Sequence, residues 1–103
     1  MNIILGKEIA EKIKDTYTVL ELETFAKSDG SPITAYCVVE YIPISELGTL
    51  EASKQLHSNF IAEYNNKNYK FCLDAVEHLL GKFNGNLDTF YEEIISRIKT
   101  SEN

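Results

Sequence analysis

The stretch from Asn65 to Tyr91, NNKNYKFCLDAVEHLLGKFNGNLDTFY, constrains the fold more than any other part of the chain, because helix stops, caps and apolar stripes follow one another within it. Tyr69, Cys72, Leu73, Val76, Leu79 and Leu80 recur at helical spacing and predict a helix with one apolar face. Asn65-Asn66 predicts the stop of a preceding helix, since asparagine accepts the left-handed conformation at low cost, and Asn68 is placed to cap the helix that follows. Gly81 predicts that helix's end, with Phe83 folding back on its last turn. Asn84-Gly85 then turns the chain, Asn86 or Asp88 is available as a cap, and Leu87, Phe90, Tyr91, Ile94, Ile95 and Ile98 form the next stripe. Helices joined by turns this short pack as antiparallel neighbours.

Upstream of this stretch, residues 46–65 predict a further helix, with Ser45 or Thr49 as its cap and Leu50, His57, Phe60, Ile61 and Tyr64 on or beside its stripe. The result is a three-helix unit over 44–99, followed by a frayed tail at 100–103. Near the amino terminus Leu5, Ile9 and Ile13 lie four apart among Lys7, Glu8, Glu11 and Lys12, which predicts a short amphipathic helix within residues 1–15.

Between these helical parts, residues 16–43 change character. Thr16–Phe25 and Ile33–Ile42 are rich in β-branched and aromatic residues, and Asp29-Gly30 between them tolerates a positive φ, so a β-hairpin is predicted. Pairing Phe25 with Ile33 sets Leu22 opposite Tyr36 and Val19 opposite Val39. In that register Ile33, Ala35, Cys37, Val39 and Tyr41 face the core. Glu21 and Glu23 then share the core side, which requires partial cover there or a bulge in the strand. The opposite face carries Leu20, Leu22, Tyr36 and Val38, is more apolar than a solvated face, and is predicted to be an interface. Two strands are marginal alone, so either helices cover both faces or an edge pairs with a second copy, and a homodimer is expected. The fold class is therefore α+β: one small domain, residues 1–103, with an antiparallel hairpin packed against about four helices and an all-helical C-terminal half.

Composition narrows the function classes. Sixteen acidic residues outnumber ten scattered Lys and Arg, and the net charge of −6 speaks against direct binding of nucleic acid, which rests on clustered cations. Ile3-Ile4-Leu5 is too short an apolar run for a signal peptide or a membrane span, so a cytoplasmic protein without a membrane partner is expected. Cys37 and Cys72 lie in apolar patterns and neither belongs to a CxxC pair, which predicts buried thiols and no sulfur-bound metal. GKFNGN follows a helix rather than a strand, unlike nucleotide-binding loops, and no cofactor is expected.

The residues with the chemistry for catalysis are few. His57, His78 and Asp74 are the candidate catalytic set, Asp74 lying one turn before His78 on the same helix edge, although no HExxH or HxH supports a metal. The other reading of both histidines is that of hydrogen-bonded core residues. Glu21 and Glu23 are a second, weaker acid and base pair. Phe60, Tyr64, Tyr69, Phe71, Phe83, Phe90 and Tyr91 form either the core of the helical unit or a stacking surface for a partner.

Two resemblances bear on these residues. Phe60 to Leu79, with Tyr64, Tyr69, Cys72 and Val76, resembles one tetratricopeptide-type helical hairpin, but no second copy follows at the repeat spacing of about 34 residues. AYCVVEYIP (Ala35 to Pro43) and GKFNGNLDTFYEEIISRI (Gly81 to Ile98) resemble small uncharacterised proteins encoded by tailed bacteriophages, including marine ones. That resemblance implies no activity. The reading that results is a non-enzymatic accessory or interaction protein with an unknown protein partner. One alternative is an acidic mimic of nucleic acid that inhibits a host protein, which needs Glu40, Glu46 and Glu51, or Asp88, Glu92 and Glu93, on one face. The other is a small enzyme using His57, His78 and Asp74.

Overall fold

The computed structural model describes residues 2–101. They form β1 (Asn2–Leu5), α1 (Lys7–Ile13), β2 (Thr18–Ala26), β3 (Pro32–Val39), α2 (Ile44–Leu47), α3 (Leu50–Asn65), α4 (Tyr69–Leu79), a 3₁₀ turn (Phe83–Gly85) and α5 (Asp88–Ser101). The class is α+β with a helical C-terminal half, as expected. Residues up to Tyr41 make one compact unit and residues from Ile42 a second.

The first unit holds a three-stranded antiparallel sheet in the order β1-β3-β2. Its β1 is the strand that helical spacing concealed. Ile3 and Leu5 pair with Cys37 and Ala35 instead of starting a helix, and Gly6, at φ 99, donates its N–H to the Thr34 carbonyl at 2.9 Å before α1 begins. The glycine takes the sharp change of direction that a residue with a Cβ resists. At the hairpin tip Gly30 has φ 87, and the Asp29 carboxylate accepts the Ser31 N–H at 2.9 Å and its hydroxyl at 2.6 Å.

Phe25 pairs with Ile33 as expected, but the register then slips. Beyond a shift between Glu21 and Thr24, Leu20 faces Cys37 and Val19 faces Val38, in place of the predicted Leu22 with Tyr36 and Val19 with Val39. β2 therefore carries one extra residue, a bulge at Leu22–Glu23. A one-residue slip exchanges the two faces of a strand. Leu20 (3 % exposed) and Leu22 (4 %) thus join Ala35, Cys37 and Val39 in the core, and Glu21 turns to solvent on the Tyr36 side. The interface predicted from Leu20, Leu22, Tyr36 and Val38 is divided by the bulge: Leu20 and Leu22 are core residues, and Tyr36 and Val38 lie on the other face. On that face Val38 is buried and α1 packs against β1 and β3 with Ala10 inward. Burial, then the charges of Glu21 and of Glu11 on α1, push the Tyr36 phenol above its ordinary range. Tyr41, expected in the core, lies beyond the end of β3 and is exposed.

In the second unit the predicted helix over 46–65 is two helices. α2 is one turn, the break falls at Gly48-Thr49, and the Thr49 hydroxyl donates back to the Glu46 carbonyl at 3.3 Å rather than capping α3. The left-handed residue after α3 is Lys67 (φ 63), not an asparagine. Asn68 does cap α4, its side chain accepting the Phe71 N–H at 3.5 Å. Gly81 (φ 84) stops that helix and donates its N–H to Asp88 Oδ1 at 2.8 Å, so Asp88 holds the preceding turn instead of capping its own helix. Asn86 donates its amide to the Phe83 carbonyl at 2.9 Å. α4 packs against both α3 and α5, and Phe60, Cys72, Leu79, Phe83, Leu87, Tyr91, Ile94 and Ile98 fill the interior. α5 continues through Ser101, so residues 100 and 101 are helical where a frayed tail was expected; residues 102 and 103 lie outside the described residues. Among the described residues no helix is long and apolar enough to cross a membrane.

Candidate functional site

α3 carries His57 inward, one turn before Phe60 and Ile61 on the same stripe. The imidazole is 2 % exposed, and its Nδ1 is hydrogen-bonded to the Tyr91 hydroxyl on α5 at 2.8 Å. Aromatic rings surround the pair. Phe83 meets the imidazole edge-on at 6.1 Å, Phe90 and Tyr91 lie at 6.5 and 5.8 Å, and Phe60 packs edge-on against Tyr91 at 5.4 Å. A polar ring in such a place is tolerated because its nitrogen is satisfied. His57 is thus the polar centre of an aromatic core.

The other two members of the candidate set are elsewhere. His78 and Asp74 are exposed on α4, whose inward positions are Cys72, Ala75, Val76 and Leu79. The structure therefore does not bring His57 together with His78 and Asp74: one is enclosed and two are in solvent. Among the described residues no group of three His, Cys, Asp or Glu side chains is arranged to hold a metal ion.

The thiols and carboxylates have structural surroundings too. Cys37 and Cys72 are buried and reduced, and burial pushes each thiol up to about 11, with the Glu63 charge adding to the effect at Cys72. The Cys72 thiol donates to the Phe60 carbonyl at 3.6 Å. A thiol held protonated in this way is a poor nucleophile. Glu21 is exposed and Glu23 half-buried, so the two carboxylates are not enclosed together. Four of the acids that nucleic-acid mimicry requires are engaged within the helical unit. Glu51 pairs with Lys54 at 3.6 Å, Glu93 pairs with Arg97 at 2.8 Å, and Glu46 and Asp88 accept the N–H groups of Asn84 (3.2 Å) and Gly81.

Two surface features were not foreseen from the sequence. One is an open cleft of about 580 Å³ between the end of α3 and the last turns of α5, lined by Tyr64, Glu93, Ser96, Arg97, Thr100 and Ser101. Its guanidinium is tied to Glu93 and the Thr100 hydroxyl donates to the Ser96 carbonyl at 3.0 Å, so its polar groups bond one another. The other is a set of exposed aliphatic side chains: Ile3 (52 %) and Leu5 (48 %) on β1, and Ile44 (84 %) with Leu47 on α2. The signal for the first pair was present as Ile3-Ile4-Leu5, but it acquires meaning only once β1 is known to be a sheet edge. No family model, curated protein or solved structure matches the chain.

Proposed function

We propose that the chain is a non-enzymatic interaction protein, a small accessory protein of the kind tailed phages encode, which acts in the cytoplasm as a homodimer. One observation carries this reading: an uncharged sheet edge, β1, presents Ile3 and Leu5 half-exposed beside the buried face of the sheet. Aliphatic side chains on an open edge are a pairing surface, because another strand satisfies the edge's backbone groups and removes the side chains from water together. The chain's reactive groups support the same reading. His57 and both thiols are enclosed in the packing, and most of the acids considered for mimicry are bonded locally. Ile44 and Leu47 offer a second apolar surface, suited to a partner protein other than the chain itself.

Static light scattering on the purified full chain tests the proposal. The expected mass is twice that of the 11.7 kDa chain. A single-chain mass at every accessible concentration overturns the homodimer.

A further inference from the structure

We infer that two copies of the chain join through β1, antiparallel about a two-fold axis that passes beside Ile4, to make one continuous six-stranded sheet. The inference rests on the homodimer proposed above and specifies its contact. Two strands, β1 and β2, form the edges of the sheet. They differ in the features that prevent pairing. β2 contains the Leu22–Glu23 bulge and exposes Glu21, and pairing it with its own copy brings like carboxylates together. β1 is four uncharged residues in unbroken register with β3, so nothing on it repels a second copy despite the chain's charge of −6.

The hydrogen-bond phase of β1 selects the register. Gly6 donates to the Thr34 carbonyl at 2.9 Å, so Gly6 and Thr34 are a hydrogen-bonded pair of the β1–β3 ladder. Such pairs alternate along antiparallel strands, so Ile4 and Asn2 also direct their N–H and C=O groups towards β3. Ile3 and Leu5 direct theirs away from it, to the open side. A two-fold axis normal to the sheet requires opposed residues to lie on the same face, which allows Ile3 opposite Leu5 of the second copy, with Ile4 opposite its own counterpart. In this register the outward N–H and C=O groups of Ile3 and Leu5 all find partners, forming two hydrogen-bonded pairs across the axis. The half-exposed Ile3 side chain then covers the half-exposed Leu5 of the other copy, and the reverse. A shift that centres the axis on Ile3 sets Ile3 against its own counterpart and leaves Leu5 with no β1 residue opposite it.

Ile4 becomes a non-hydrogen-bonded pair, the type in which opposed Cα atoms approach most closely, about 4.5 Å, within reach of a disulfide. The test is Ile4→Cys in the full chain, oxidised with diamide and compared with Thr24→Cys on the exposed outer part of β2. The expected result is a covalent dimer from Ile4→Cys and none from Thr24→Cys, with buried Cys37 and Cys72 silent. Leu5→Lys provides an independent arm. It should halve the scattering mass while leaving the circular dichroism spectrum unchanged. A wild-type dimer in which Ile4→Cys fails to cross-link and Leu5→Lys leaves the mass unaltered overturns this contact and leaves the homodimer standing. A monomeric wild type overturns both.

Discussion

Replacing Tyr91 with Phe removes one oxygen from the interior and almost nothing else. The ring keeps its place against Phe60, 5.4 Å away, and no cavity opens, so the change removes the hydrogen bond to His57 Nδ1 without disturbing the packing. Losing a buried hydrogen bond costs more than the bond's net worth, because the remaining partner stays desolvated, and the penalty is about 1–3 kcal/mol. In a domain of this size that corresponds to a melting temperature lower by roughly 5–15 °C. His57→Phe should be of similar size, since it removes the same hydrogen bond from the other side. The double variant His57→Phe/Tyr91→Phe leaves neither group stranded by the other, so its loss should be smaller than the sum of the two by about 0.5–3 kcal/mol. Urea melts followed by helical circular dichroism measure all three. Additivity within about 0.3 kcal/mol means that the two residues do not share an energetic unit and refutes the account of His57 as a core residue held by Tyr91.

Three further outcomes follow from the geometry. Leu20→Lys should destabilise by roughly 2–5 kcal/mol, because the bulge turns that side chain inward, whereas Glu21→Lys next to it should cost clearly less; equal, small effects in chemical denaturation mean the bulge is absent. Asn84 sits at φ 57, so Asn84→Gly should be tolerated and Asn84→Val should cost about 1–2 kcal/mol; similar melting points for the two refute a left-handed residue there. Both thiols are raised from 9.0 to about 11 in the folded chain, so their contribution to stability is present below pH 9 and is lost as pH rises to 11 and the unfolded thiols ionise first. Urea midpoints measured across that range should fall, and fall less in Cys72→Ala; an identical slope in the variant argues against a protected thiol.

The parts of the fold legible in the sequence are those fixed by neighbours a few positions apart. The apolar stripes of α4 and α5, the Asn68 cap, the Gly81 stop and the Asp29-Gly30 turn all depend on local spacing, and local spacing is what a sequence displays. β1 was not legible because Leu5 also fits helical spacing with Ile9 and Ile13, and only β3, far along the chain, decides between the two. The bulge was legible only as an anomaly, two glutamates on a face meant for the core. Nothing in strict alternation says where the extra residue falls. The candidate site failed for a similar reason. Asp74 and His78 share a helix edge, which spacing reveals, but the partner of His57 is a tyrosine 34 positions away, which it does not.

Phe83 is fully enclosed, yet its backbone has φ 54, and Asn84 beside it has φ 57. A bulky residue in that conformation carries about 1–3 kcal/mol of strain, which only the burial of its ring offsets. The link between α4 and α5 is therefore unfavourable until the interior that receives the ring exists. The turn between α3 and α4 also holds a left-handed residue, Lys67 at φ 63, but that side chain is exposed and has no ring to enclose, and the turn ends in the satisfied Asn68 cap. This difference predicts an order of events during folding in which the α3–α4 hairpin assembles first and α5 locks on last, when Phe83 is driven inward. Substitutions at Phe83 should accordingly speed unfolding far more than they slow folding.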